Sequence, residues 1–185
     1  MPSVIQADQL KSGNGNTTYL NSGTLSNLTF PAGHVIQTVQ NTYNSSNSVG
    51  HTSTTHTRFT ITDGSMPFTG QITNVKANSH VYITMSYTIG IYKTNVSDIG
   101  VGCGIFRESS AIDTPGVYNN YYYTNDGAMT RQLYLPFCRT FIDTSPATGT
   151  NNYYASARAY NTASATIISD SSNLPFVCIL QEVAQ

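Results

Sequence analysis

Apolar side chains recur at every second position in the most legible stretches of this chain, as in Val81, Ile83, Met85 and Tyr87 and again in Leu133, Leu135 and Phe137. That period sets one face of an extended strand against a core and turns the other to water. "HVIQTVQNTY", "TRFTIT", "QITNVK", "HVYITMSYTIGIY", "VGCGIF", "RQLYLPFCRTFI", "NYYASARAYN", "ATIIS" and "PFVCILQEV" are all rich in β-branched and aromatic residues. No stretch sustains a helical repeat, and Gly, Pro, Asn, Asp and Ser interrupt the pattern roughly every 8 to 15 residues, the spacing of a sandwich or barrel. The fold class is therefore all-β, an antiparallel β-sandwich. Roughly eight or nine strands over about 150 residues fit a jelly roll, although pattern leaves the strand order open.

The segment from Met1 to Gly33 breaks the rhythm. In "SVIQADQLKSGNGNTTYLNSGTLSNLTFPAG" sparse apolar residues (Val4, Ile5, Leu10, Tyr19, Leu20, Leu25, Leu28, Phe30) stand between polar and Gly-rich gaps. The segment is too apolar for a disordered tail and too thin for a core of its own. An extended docking arm over residues 1–33, anchored on a neighbouring subunit by Ile5, Leu10, Leu20, Leu25 and Phe30, satisfies both facts. A local hairpin packed on the same domain satisfies them equally. Pro31-Ala32-Gly33 marks the junction with a body over 34–185, and 185 residues suffice for one such body with one core.

Only 9% of the residues are charged, against about 25% in an ordinary domain, and Ser, Thr and Asn take the polar positions. With a formal net charge of -1 and no basic cluster, nothing here would neutralise a run of phosphates, so nucleic acid is not an expected partner. Near-neutral, Lys- and Glu-poor surfaces favour self-association. The three cysteines lie in strand-like contexts ("GCGIF", "PFCRTF", "FVCIL") without ligand spacing, which points to buried free thiols and folding in a reducing cytoplasm. No secretory signal is visible in "MPSVIQADQLKSG", and no apolar run reaches the roughly 20 residues of a membrane span. The Asn-x-Ser/Thr matches at Asn16, Asn27, Asn44 and Asn95 are then products of composition.

Chemistry-bearing motifs are sparse. His51 and His56 alternate to opposite faces of an extended strand, His34 and His80 stand apart, and no Cys, Asp or Glu sits beside them, so no metal site and no cofactor are expected. Gly-x-Ser-x-Gly, phosphate-binding Gly loops and His-Glu-x-x-His are absent, and no catalytic residues are assigned. The aspartates Asp63, Asp98, Asp113, Asp126, Asp143 and Asp170 read as turn formers. A glycosidase would need two carboxylates brought together by the fold. "GVYNNYYYTNDG" is the most suggestive binding feature: the rings of Tyr118, Tyr121, Tyr122 and Tyr123 among Asn and Asp suit a host-surface glycan, or else serve subunit packing. The loop Ala147 to Asn152, without charge or aromatic ring, is expected to bind nothing strongly.

"FIDTSPATGTNNYYASARAYNTASATIISD" followed by "LPFVCILQEVA" resembles the end of small β-sandwich virion proteins of tailed bacteriophages, of cyanophage and marine phage type. That end carries a Leu-Asp-Ser-Pro-like turn, an alternating strand with Tyr and Arg, an Asn-containing turn and a closing apolar strand. "LTFPAGHVIQTVQNTY" resembles the family's first strand, "FTGQITNVKANSHVYITMSYTIG" its paired strands, and "GCGIFRESSAI" its Arg-containing middle strand. The segment from Met1 to Gly33 resembles the leaders of tail-fibre and appendage proteins. Ile142, the extra Thr144 before Ser145-Pro146, and Gln181-Glu182-Val183 depart from the pattern, and "YNNYYYTND" has no counterpart in it.

The resemblance implies a non-enzymatic component of the virion surface, a tail-fibre or appendage head or a capsid decoration (cement) protein. It would be made in the host cytoplasm and assembled as a homotrimer against other virion proteins such as capsid or tail. In the implied hairpin over residues 141–161 the Arg158 guanidinium reaches an acceptor on a neighbouring strand or subunit, with Asp143 as the expected partner. Two other classes are a receptor-binding tip that recognises host glycans through the Tyr-rich loop, and a polysaccharide depolymerase. The chain's length and the lack of a β-helical repeat count against the second.

Overall fold

A computed structural model of the chain describes residues 9–11, 18–21, 24–25, 30–43, 48–51, 53–59, 68–114, 123–159, 165–170 and 175–185. The described residues form thirteen strands and no helix. Three short ones, β1 (Gln9–Lys11), β2 (Thr18–Asn21) and β3 (Thr24–Leu25), make a separate antiparallel sheet in the order β1-β2-β3. Its register sets Leu10 opposite Leu20 and Leu20 opposite Leu25, so the segment over 1–33 is a small meander in its described parts. Ile5 lies outside the described residues.

The body holds β4 (Val35–Tyr43), β5 (Ser48–His51), β6 (Thr57–Arg58), β7 (Thr69–Val75), β8 (Ser79–Arg107), β9 (Ser110–Asp113), β10 (Tyr123–Asp143), β11 (Gly149–Ala159), β12 (Ala165–Asp170) and β13 (Phe176–Ala184). All pairings are antiparallel, which fits the alternating patterns. The first layer runs β4-β13-β8-β10, with β12 and β5 extending it along the middle of β8. The second runs β7-β11-β8-β9, with β6 beside β11. One strand serves both: β8 pairs with β13 over residues 79–86 and with β11 over 101–107. β7 lies against β13 and β4, which closes the sandwich.

Alternation decides which side chains meet between the layers. Along β8, Val81, Ile83, Met85, Tyr87 and Ile89 are buried while Tyr82, Thr84 and Ser86 lie on the other side; Thr88 shares that side, but its hydroxyl is buried without a partner. Each fully buried aliphatic residue contributes about 1.5–3 kcal/mol. The centre is aromatic: Phe68 meets Phe59 and Phe176 edge-on at 5.7 and 5.4 Å, and Tyr87 sits 5.9 Å from Phe176. Ala155, Ala157 and Ala159 on β11 are buried small residues that leave room for these rings. Gly104 is required where β9 crosses β8, because a Cβ there would overlap the carbonyl oxygen of Asp113.

Residues 141–161, expected as one hairpin, are instead divided between the layers. β10 pairs with β8 alone among the described residues, whereas β11 pairs with β6, β7 and β8, so the link at 144–148 carries the chain from one layer to the other. A Pro- and Thr-rich connection satisfies the same turn signals whether it reverses a strand or bridges two sheets.

Candidate functional site

The outward side of the first layer is the most unusual surface in the described chain. Its rows follow from the register: Thr38, Gln181, Tyr82 and Ile142 stand side by side, then Gln40, Ile179, Thr84 and Thr140, then Thr42, Val177, Ser86 and Cys138. Thr88 and Pro136 follow, and Tyr134 lies at the far end of β10. No residue in these rows carries a formal charge. Solvated sheet faces normally alternate apolar-in with polar or charged-out. Here β-branched and hydroxyl residues fill the outer positions, and Tyr134 and Ile142 are 48% and 40% exposed.

Long hydrogen bonds between side chains run over this surface. Thr84 and Thr140 hydroxyls lie 3.3 Å apart across β8 and β10, Gln181 Nε2 donates to Thr38 Oγ1 at 3.4 Å, and Gln40 Nε2 donates to Thr42 Oγ1 at 3.3 Å. Four strands about 4.8 Å apart and nine residues of β10 span roughly 500 Å² of flat area. That is the same order as the ~800 Å² per partner of a stable protein interface. Covering an uncharged plane of this extent desolvates no charge.

Charges are kept at the inner and lateral sides. Arg139 on β10 turns inward and grips Asp113 of β9 with two bonds, Nε to Oδ2 at 2.6 Å and Nη2 to Oδ1 at 2.7 Å. Arg107 at the end of β8 donates to both oxygens of Asp143, at 3.0 and 2.8 Å, and to the Ser145 carbonyl. Tyr153 Oη donates to Asp143 Oδ2 at 2.9 Å, and the Ser145 amide donates to Oδ1 at 3.1 Å. Both ion pairs fasten β10 of the first layer to β8 or β9 of the second. Charge-assisted pairs of this geometry lock the strand's inner face. Glu182, buried on β13, accepts from the Lys76 amide and from Gln37 Nε2, each at 2.6 Å.

Asp143 therefore does not pair with Arg158. Tyr153, which it does bond, precedes Arg158 by five residues, about 17 Å of strand, and no hairpin folds the two together. Arg158 is half-buried opposite Gly102, with a buried Nε that has no partner. Asp143 does form the turn expected of it, accepting from the amide two residues on. Asp113 forms an ion pair instead.

Phe30, the last expected anchor, packs on its own chain. It stacks on His34 at 5.5 Å and, with Ile36, Lys76, Asn78 and Ala184, lines a cavity of about 200 Å³ at the entrance to the body. Tyr118, Tyr121 and Tyr122 lie outside the described residues, and Tyr123 opens β10 opposite Gly100. In the loop at 147–152, Asn151 closes on Ala147 in both directions, accepting at 3.0 Å and donating at 2.7 Å, which leaves its amide occupied. Among the described residues no group of three or more His, Cys, Asp or Glu is gathered to hold a metal ion.

Burial raises the thiols of Cys103 and Cys178 to about 12, which suppresses thiolate chemistry at both. Cys138, on the uncharged face, is exposed. A second cluster, not singled out in the sequence, crosses the outer side of the other layer. The Arg58 guanidinium lies 5.0 Å over the Tyr154 ring and donates to the Glu108 carbonyl at 3.1 Å. Glu108 holds a φ of 50°, rare for Glu, and its Oε1 accepts from the backbone N and side-chain Nδ2 of Asn152 at 2.9 and 2.8 Å. Its carboxylate thus takes the ladder position its own carbonyl has vacated.

No protein-family model and no curated protein matches the chain. Among solved structures it is similar to dimeric latent PorU from Porphyromonas gingivalis, with a TM-score of 0.35, 12% identity, and coverage of 83% of this chain and 14% of that one. It is similar also to the VP2 subviral particle of infectious bursal disease virus (TM-score 0.30, 11% identity, 100% and 42% coverage) and to the Gx strain of that virus (0.30, 13%, 100% and 42%). The chain spans less than half the length of these structures, and likenesses at such scores carry no argument about its function.

Proposed function

We propose that this chain is a non-enzymatic structural component of a tailed-phage virion surface, a fibre or appendage head or a capsid decoration protein, that assembles with copies of itself as a homotrimer. The observation that carries the reading is the uncharged outer face of the β4-β13-β8-β10 layer. Its rows of Thr, Ser, Gln, Tyr and Ile suit contact with protein, and the inward-turned ion pairs stiffen β10 behind it. The likeness of residues 141–184 to the ends of phage virion proteins supports the same role. Symmetry then multiplies each modest contact, so weak individual interfaces hold a particle together.

The test is quantitative mass spectrometry of purified particles of the phage that encodes the chain. A structural component is present at a fixed copy number in multiples of three and survives washing in high salt, since its contacts are not ionic. Absence from the particles, or a trace that varies between preparations, overturns the reading.

A further inference from the structure

The first layer has two open edges. Among the described residues β4 pairs only with β13, and β10 only with β8. Natural sheets guard such edges with charges, bulges, prolines or very short strands, because unpaired N–H and C=O groups recruit other chains. β10 keeps an unbroken register with β8 from Arg131 to Asp143, and β4 keeps one with β13 from Gln37 to Tyr43. β4 carries no charged residue, and the two charges at the end of β10, Arg139 and Asp143, are turned inward and bonded there. The guards are Pro136 and register shifts near the starts of both strands, at 35–37 of β4 and 125–131 of β10, which leave the regular stretch 137–143 of β10 matching 37–43 of β4 in length.

We infer that β10 of one copy pairs with β4 of the next, so that the layer continues from subunit to subunit. This rests on the self-assembly proposed above and names its contact. Direction supports it: β4, β13, β8 and β10 alternate up and down, so a second copy laid alongside in the same orientation presents β4 antiparallel to β10. Antiparallel ladders are the more stable kind. Economy supports it too. A two-fold contact through β10 would leave β4 open, whereas a head-to-tail contact, repeated around the homotrimer proposed above, covers both edges with one interface.

The test is amide hydrogen exchange on the full chain, concentrated and diluted, with the mass of both samples followed by light scattering. Where dilution does not dissociate the assembly, the Gln40→Lys/Thr140→Lys chain, which sets like charges opposite each other on the two edges, supplies the dissociated reference. The expected result is that alternate amides in 37–43 and in 137–143 slow together, by at least about tenfold, as the mass rises. A rise in mass with β10 protected and β4 unchanged, or with neither changed, overturns this inference and leaves self-assembly standing. A mass that stays at one chain overturns both.

Discussion

Asp143 collects donors from Arg107, Tyr153 and the Ser145 amide at 4% exposure, and Asn in its place would keep one acceptor oxygen while losing the charge and the other. Asp143→Asn is expected to cost about 2–3 kcal/mol in urea unfolding, less than a fully buried pair because Arg107 is 23% exposed. Arg158→Ala, on a residue that bonds no carboxylate, should stay within about 1 kcal/mol. The opposite order would contradict the assignment. Burial also shapes the pH response. Cys103 and Cys178 are pushed up to about 12 from 9.0, and Tyr87 and Tyr153 are raised as well, chiefly by desolvation. Above about pH 9 the unfolded chain releases protons that the native chain still holds, so stability falls as pH rises. The melting temperature is expected to be level from about pH 7 to 8.5 and to drop progressively between about 9 and 12. A level profile through pH 11 would show that these groups are not buried as described.

Elements meet at two glycines whose replacements should behave differently. A Cβ on Gly70 of β7 would overlap the Cys178 sulfur of β13, a side chain, whereas one on Gly104 would overlap the Asp113 backbone carbonyl. Gly70→Ala is expected to cost about 1–3 kcal/mol, with favourable coupling to Cys178→Ala in a double-mutant cycle. Gly104→Ala should destabilise at least as much, with no side-chain substitution to relieve it. Additive energies at 70 and 178 would contradict the packing of β7 on β13. The strands themselves were legible because period-2 alternation is local: Val81 to Tyr87 point inward as their spacing requires. Layer membership was not, because the turn chemistry of Asp143, Ser145 and Pro146 is the same for a hairpin and for a crossing between sheets. For the same reason Arg107, 36 residues away in sequence, could not be recognised as the partner of Asp143. The uncharged face was equally hidden, since each of its strands looks like an ordinary Thr- and Ser-rich strand until four of them are set side by side.

At the scale of the whole molecule, low charge acquires a location. The chain's few described charges sit on inner, lateral or second-layer positions, and one broad plane is left without any. If assembly covers that plane, a cation placed at its centre by Thr84→Arg must be desolvated unpaired, which costs several kcal/mol. That variant is expected to keep the wild-type circular dichroism spectrum while losing assembly. Retained assembly would place the contact elsewhere. The central claim, that this sandwich exists to join copies of itself, is tested most directly by the mass of the full chain in solution, measured by light scattering across micromolar concentrations. The expected result is three times the mass of one chain. The mass of a single chain at every concentration would contradict it.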